Sequence, residues 1–249
     1  MLIVSTGRGD LLKHLPMAHA VAEIGVFRGG FAALILRNAR PKILHLVDPW
    51  GKDPADEYVQ SYRVTDDMEA LYRAICDRYA KQITERTIVV HRDYSTRAAA
   101  QFRDGELDWV YVDGMHSFEA VSADLEAFAP KIHGSGFILG HDFSNTRMGR
   151  VKKFGVIGAV RRFCDRFGWH IVLITNEDAP TYVLTRNGND EVERKFVDRV
   201  LSSETICAIE VDESLIRCFE QVDLTYANGK RKQLFRFGDV PPARRHPYL

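Results

Sequence analysis

Two short stretches place ionisable side chains where an apolar run gives out. In "DWVYVDGMHSFEAV" the run ends at Asp113, and Gly114 and His116 follow before a helical pattern begins. In "GFILGHDFSN" a second run ends in His141 and Asp142. Carboxylates and imidazoles grouped in this way do two kinds of chemistry. His116 or His141, with an ordinary pKa near ~6.5, can take a proton from a weakly acidic group. Alternatively, Asp113, His141 and Asp142 can hold a divalent cation that acidifies a hydroxyl. A third reading is structural: Asp113 and His116 stabilise the loop that opens the next helix, and His141 satisfies a buried carbonyl. Residue types alone leave the three open.

The same punctuation recurs upstream. "EIGVFRGG" carries Glu23, Gly25, Gly29 and Gly30, "KILHLVD" ends in Asp48, and "RTIVVHRD" ends in Asp93. Glycines at such a turn let a backbone approach a ligand closely, although the spacing here is GxxxG and not GxGxxG. Asp48 lies 25 residues beyond Glu23, where a carboxylate can take both hydroxyls of a ribose, which implies a ribose-bearing cofactor. Asp93 can accept from an exocyclic amine such as that of adenine. With Ser95 beside it, it can equally cap a helix.

The elements that must position these residues follow from periodicity. "AVAEIGV", "KILHLVD", "RTIVVHRD", "LDWVYVD" and "GFILGHD" read as buried strands, bounded by turn-forming or polar residues. Helical spacing lies between them, at Phe31, Leu34 and Ile35, at Met68, Leu71, Ile75 and Tyr79, and at Phe118, Val121, Leu125 and Phe128. Ser117 is the expected N-cap of the last of these, and Pro130 lies beyond its end. Strand and helix alternate over 18–170, which argues for an α/β architecture with a mostly parallel sheet. After a further helix over 154–167, "WHIVLIT" and "PTYVLTR" are separated by only "NEDA" and read as an antiparallel pair. From residue 187 a charged helix and a hairpin around Asn228 and Gly229 form an appended segment. The expected division is 1–186 as the main domain and 187–249 as the appendage, which would serve as substrate cover or as a homo-oligomer contact.

Composition narrows the partners. Of 249 residues, Lys plus Arg equal Asp plus Glu at 34 each, so no global basic field draws in nucleic acid or an anionic membrane. Cys76, Cys164, Cys207 and Cys218 have no CxxC spacing, which favours reduced thiols in a cytoplasmic protein. No apolar run approaches the ~18 residues that span a bilayer. The loop "PWGKDPADEYVQSYRVTDD", with Trp50, Tyr58 and Tyr62, could be a lid over an aromatic or sugar-like acceptor, or simply pack on itself.

Taken together, the strand-end residues resemble the class I S-adenosylmethionine-dependent methyltransferases over roughly 18–186. The resemblance is closest to a small-molecule and sugar O-methyltransferase-like family in which "DG.HSYE...DL..W.P....GG...GHD" recurs. This chain reads "VDGMHSFEAVSADLEAFAPKIHGSGFILGHDF". It departs in placing Phe27 and Arg28 between the glycines of the first turn and "GSG" at 134–136. The resemblance implies a Rossmann-like α/β fold with a mostly parallel seven-stranded sheet, an antiparallel last strand and helices on both faces.

By the same resemblance the cofactor is S-adenosyl-L-methionine. Glu23, Gly25 and Gly29 would form its loop, with Glu23 and Gly25 near the methionine part; Asp48 would hold the ribose, Asp93 and Tyr94 border the adenine, and Asp113 stand beside both cofactor and acceptor. Related O-methyltransferases place metal ligands where Asp113, His141 and Asp142 stand here, which implies Mg or Mn; a His ligand shifts preference toward Mn, Fe or Zn. Asp113, His116 and His141 would be the catalytic residues, and the acceptor a hydroxylated small molecule or sugar. A nicotinamide-dependent oxidoreductase and a non-catalytic nucleotide-binding protein are the alternatives; GxGxxG and a Tyr-xxx-Lys pair after the fifth strand are both lacking.

Overall fold

The computed structural model of the protein describes residues 1–51 and 67–238. Trp50 is within them, whereas Tyr58 and Tyr62 of the expected lid lie outside. Strands are β1 (Leu2–Val4), β2 (Ala20–Ile24), β3 (Ile43–Val47), β4 (Ile88–His91), β5 (Leu107–Val112), β6 (Ile132–Gly140), β7 (Trp169–Thr175), β8 (Tyr182–Arg186), β9 (Ala208–Glu210), β10 (Phe219–Thr225) and β11 (Arg231–Phe237). Helices are α1 (Arg8–Leu11), α2 (Gly30–Asn38), α3 (Met68–Arg78), α4 (Ala80–Thr84), α5 (Ser95–Ala99), α6 (Phe118–Phe128), α7 (Arg147–Val151), α8 (Val156–Phe167) and α9 (Asp190–Leu201).

The main sheet runs β4-β3-β2-β5-β6-β8-β7-β1-β9. Strands β2 to β6 are parallel, and β8 lies antiparallel between β6 and β7. That is the expected α/β architecture, with two strands more than the seven read from the sequence. Leu2–Val4 pairs with β7, and Ala208–Glu210 pairs with β1. Both are three residues long, too short for alternation to distinguish them from loop.

Side chains alternate across each strand, so each run feeds two cores. Ala20, Ala22 and Ile24 of β2 and Val110 and Val112 of β5 face Val121, Leu125 and Phe128 of α6 and Val156, Val160 and Phe163 of α8. Val21, Trp109 and Tyr111 face the opposite side, with Phe31 and Ile35 of α2, Ile75 of α3 and Phe196 and Val200 of α9. Fully burying such an aliphatic or aromatic side chain contributes about 1.5–3 kcal/mol, so these two layers fix the sheet. Ser117 caps α6, its side chain accepting from Ala120 N at 3.3 Å. Pro130 follows in a 3-10 turn over Ala129–Lys131 that ends the helix. The Asn228-Gly229 hairpin forms with β10 and β11 in register from Phe219↔Phe237 to Thr225↔Arg231.

The chain leaves β2 toward β3 and β4 and then returns to place β5 on β2's other side. This reversal opens a crevice at the carboxyl ends of β2 and β5, where open α/β sheets take their ligands.

Candidate active site

The sheet ladder continues one residue past each strand end, which aligns the rim of the crevice. Gly25 N donates to Val47 O at 2.9 Å, Asp113 N to Ile24 O at 2.8 Å, and His141 N to Val112 O at 3.0 Å. Glu23, Gly25, Asp48, Asp113 and His141, read from four separate strands, are thereby brought to one edge. At Gly25 the two central strands nearly touch: a Cβ there would lie 2.1 Å from the carbonyl oxygen of Asp113, and φ is +87°. Only glycine fits such a crossing.

Asp48 organises the first turn. It is 7% exposed, and its carboxylate accepts from Phe27 N at 2.8 Å and Trp50 N at 2.7 Å. Trp50 Nε1 in turn donates to Phe27 O at 2.9 Å. These bonds hold Phe27 and Trp50 in the left-handed region, at φ 49° and 38°. Asp48 still borders a cavity of about 300 Å³ together with Gly25, Tyr94, Ser95, Asp113 and Asp124. A second recess of about 310 Å³ is lined by Arg8, Glu23, Arg28 and His116, and both recesses reach Gly25, Phe27, Asp113 and Gly114.

Two expected cofactor residues stand elsewhere. Gly29 is the N-cap of α2 at φ 67°, outside both recesses, where a Cβ would meet Ile75 Cδ1 at 2.4 Å. Its glycine serves helix packing. Asp93 accepts from its neighbour Tyr94 N at 2.8 Å and from Arg97 Nε at 2.6 Å, so it turns back on α5; Tyr94, not Asp93, borders the cavity.

At the far side of the crossing Asp113, His116, His141 and Asp142 form one cluster. His116 Nε2 lies 3.0 Å from Asp142 Oδ2 and 3.5 Å from Asp113 Oδ1. His141 Nδ1 lies 3.5 Å from Asp113 Oδ1 and 3.4 Å from Asp142 Oδ2. Burial favours the neutral ring in each imidazole, yet hydrogen bonds and charge contacts with the two carboxylates raise both to about 9. Burial likewise disfavours the ionised carboxylates, but the imidazoles hold Asp113 and Asp142 below the usual carboxylate range. Asp142 adopts φ 55°, in the left-handed region that non-glycine residues enter at some cost. The segment behind it is clamped by the C-terminal hairpin. Asn145 Oδ1 accepts from Gln221 N at 2.9 Å, Asn145 Nδ2 donates to Phe219 O at 2.7 Å, and Ser144 Oγ donates to Gln221 Oε1 at 2.6 Å.

Two contributors, Arg8 and Asp124, and the charge state of a third, Glu23, escape a reading by strand ends. Arg8, on the short α1, donates from Nη1 to Asp113 Oδ2 at 2.8 Å and lies 4.7 Å over the Phe31 ring. Its stretch "STGRGD" has no periodicity to mark it. Glu23 is anticipated, but its state is not: burial, then Asp113, push its pKa well above the carboxylate range, and Oε2 has no hydrogen-bond partner among the described residues. Asp124, 4% exposed, sits between Val121 and Leu125 on the buried stripe of α6, and a carboxylate at an apolar position is a signal the sequence does carry.

A family profile described as "Methyltransferase domain" matches residues 22–143. No curated protein matches the chain. Solved structures similar to it include the tRNA methyltransferase TrmK of B. subtilis, at 13% identity and TM-score 0.48, covering 73% of this chain and 65% of that one. Spermidine synthase of Thermotoga maritima is similar at 14% identity and TM-score 0.49, covering 80% and 63%. The N-methyltransferase NodS of Bradyrhizobium japonicum is similar at 13% and 0.49, covering 72% and 90%. The chain thus spans somewhat less than two thirds of the first two. Arg8 apart, all the crevice residues described above, from Glu23 to Asp142, fall inside 22–143, and that span of the chain is matched as a methyltransferase domain.

Proposed function

We propose that the protein is an S-adenosylmethionine-dependent methyltransferase that methylates a hydroxyl oxygen of a small molecule or sugar. The observation that carries the reading is the crossing at Gly25 and Asp113, where two recesses of about 300 and 310 Å³ meet beside an acid and imidazole cluster. A nucleoside fits the first recess, with its ribose toward Asp48. An amino-acid tail fits the second, where Oε2 of buried Glu23, partnerless among the described residues, suits an α-ammonium and Arg8 an α-carboxylate. The sulfonium between them then faces Asp113. The equal numbers of basic and acidic residues, 34 each, favour a small acceptor over nucleic acid.

Methyl transfer to oxygen is an in-line displacement that needs alignment and removal of the hydroxyl proton. Asp113, His141 and Asp142 offer ligand atoms within 4.8 Å of one another. Two carboxylates and an imidazole suit a divalent cation of the Mn type. Bound there, such a cation would lower the pKa of the acceptor hydroxyl. The chain's own proton acceptor is His116 at Nε2. With its pKa near 9, the ring is charged at neutral pH and becomes a base as pH rises. Protonated, Nε2 donates toward Asp142 and Asp113; deprotonated, it has no hydrogen to offer either carboxylate and can accept one from the hydroxyl.

Thermal unfolding with S-adenosylhomocysteine, with NAD and with buffer alone tests the cofactor. A bound ligand raises the melting temperature by mass action, so S-adenosylhomocysteine alone should do so. A shift with NAD only, or with neither, overturns the proposal. Transfer of labelled methyl to a panel of hydroxylated acceptors, amines and RNA tests the acceptor class, and label in an amine or RNA would overturn it.

A further inference from the structure

The cavity beside Asp48 carries one carboxyl that the proposed reaction does not use. Asp124 is 4% exposed and shares its helix face with Val121, Leu125 and Phe128. A carboxylate buried among apolar side chains is costly unless it is paired or finds a partner. Its hydrogen bond among the described residues comes from Ser95 Oγ to Oδ1. Oδ2 points past Gly114, whose missing Cβ would stand 3.5 Å away. Burial outweighs the Ser95 hydrogen bond and pushes the carboxyl up to about 7, where a ligand can decide its charge. Ser95, Gly114 and Asp124 all border the same cavity.

A nucleoside with its ribose at Asp48 has its base to place in the remainder of this cavity, against Tyr94, Ser95 and Asp124. Asp93, to which the resemblance would give the exocyclic amine, is turned away toward Arg97. We infer that Asp124 replaces it: Oδ2 accepts the exocyclic 6-amino group of the cofactor's adenine, Ser95 fixes the other oxygen, and Asp124 thereby selects an aminopurine over an oxopurine. The inference rests on the cofactor reading above. Above pH 7, where the carboxyl is ionised, its chemistry is specific, because a carboxylate oxygen facing a 6-oxo group opposes two acceptors, whereas facing a 6-amino group it gains a charge-assisted hydrogen bond.

The test is calorimetric titration, at about pH 8.5 so that the carboxyl is ionised, of wild type and Asp124→Asn with S-adenosylhomocysteine and S-inosylhomocysteine, which carries an oxo group where the first carries the amine. Wild type should prefer the adenosyl compound by roughly ten- to a hundredfold, the size of an unpaired buried polar contact. The amide of Asp124→Asn offers both a donor and an acceptor, so its preference should fall to within about threefold. Because the neutral, near-isosteric amide removes a buried acid, the variant should melt no lower than wild type, which separates lost recognition from lost fold. A wild type that binds both compounds equally, or a variant that keeps the full preference, overturns the role of Asp124 and leaves the cofactor reading standing. A wild type that binds neither overturns the cofactor reading and this inference with it.

Discussion

Arg8 Nη1 donates to Asp113 Oδ2 at 2.8 Å across 105 residues of sequence, so a four-residue helix near the N-terminus holds the central carboxylate of the crevice. Oδ1 of the same carboxylate faces the imidazoles of His116 and His141. Asp113 is therefore poised between a fixed guanidinium and two titratable rings. Removing the guanidinium leaves a carboxylate that is 19% exposed with fewer partners. Arg8→Ala should cost about 1.5–3 kcal/mol, the range for hydrogen bonds to charged groups. Urea unfolding at neutral pH reads this as a lower midpoint with an unchanged slope.

The approach of Gly25 to Asp113 makes a second prediction. Gly25→Ala puts a methyl 2.1 Å from a backbone oxygen at φ +87°, so the strain cannot be relieved by a rotamer change. The variant should lose more than about 1–3 kcal/mol of stability, the range for a strained backbone alone, together with S-adenosylhomocysteine binding. Thermal melts and calorimetry check both, and a variant with wild-type melting and affinity would show that the two loops do not cross so closely.

Metal binding should be coupled to protons. Coordination by His141 needs a neutral ring, and this ring is held near pKa 9. Below that pH each ion bound should displace a proton, and Mn²⁺ affinity should rise up to about tenfold per pH unit. Calorimetry in two buffers of different ionisation enthalpy reads the proton directly. Asp142→Asn should abolish Mn²⁺ binding while leaving S-adenosylhomocysteine affinity within about threefold, since Asp142 borders neither recess. Affinity that is flat with pH would remove His141 from the ligand set.

Much of this arrangement is legible in the sequence because parallel strands advertise themselves. Apolar runs ending in Glu23, Asp48, Asp113 and His141 are long enough for period and length to identify them, and the sheet ladder then aligns their ends. What escapes is set by contacts that have no period. Leu2–Val4 and Ala208–Glu210 become strands because neighbouring edges offer hydrogen bonds to them. Arg8 reaches Asp113 only through the fold. Gly29 and Asp93 carry a recognisable residue type, but their side chains or missing side chains are used locally, against Ile75 and Arg97.

Asp124 makes stability depend on pH in a direction opposite to that of Asp113 and Asp142. Its pKa in the folded protein is about 7, against an ordinary value near ~3.9 in the unfolded chain. Between those two values the folded state holds a proton that the unfolded state has lost, so stability from this group is full below ~4 and is lost as pH rises toward 7. The slope approaches ~1.4 kcal/mol per unit. Asp113 and Asp142, held low by the imidazoles, contribute with the opposite sign and are lost as pH falls. Among the described residues Asp124 is hydrogen-bonded by the Ser95 hydroxyl and interacts electrostatically with Tyr182, and neither ionises in this range. Subtracting the unfolding free energies of wild type from those of Asp124→Asn at each pH therefore isolates the one group. The difference should grow in favour of the variant from pH 4 to 7 and level off above it. A difference that stays constant across the interval would mean that Asp124 is ionised in both states, with a cation or solvent reaching it.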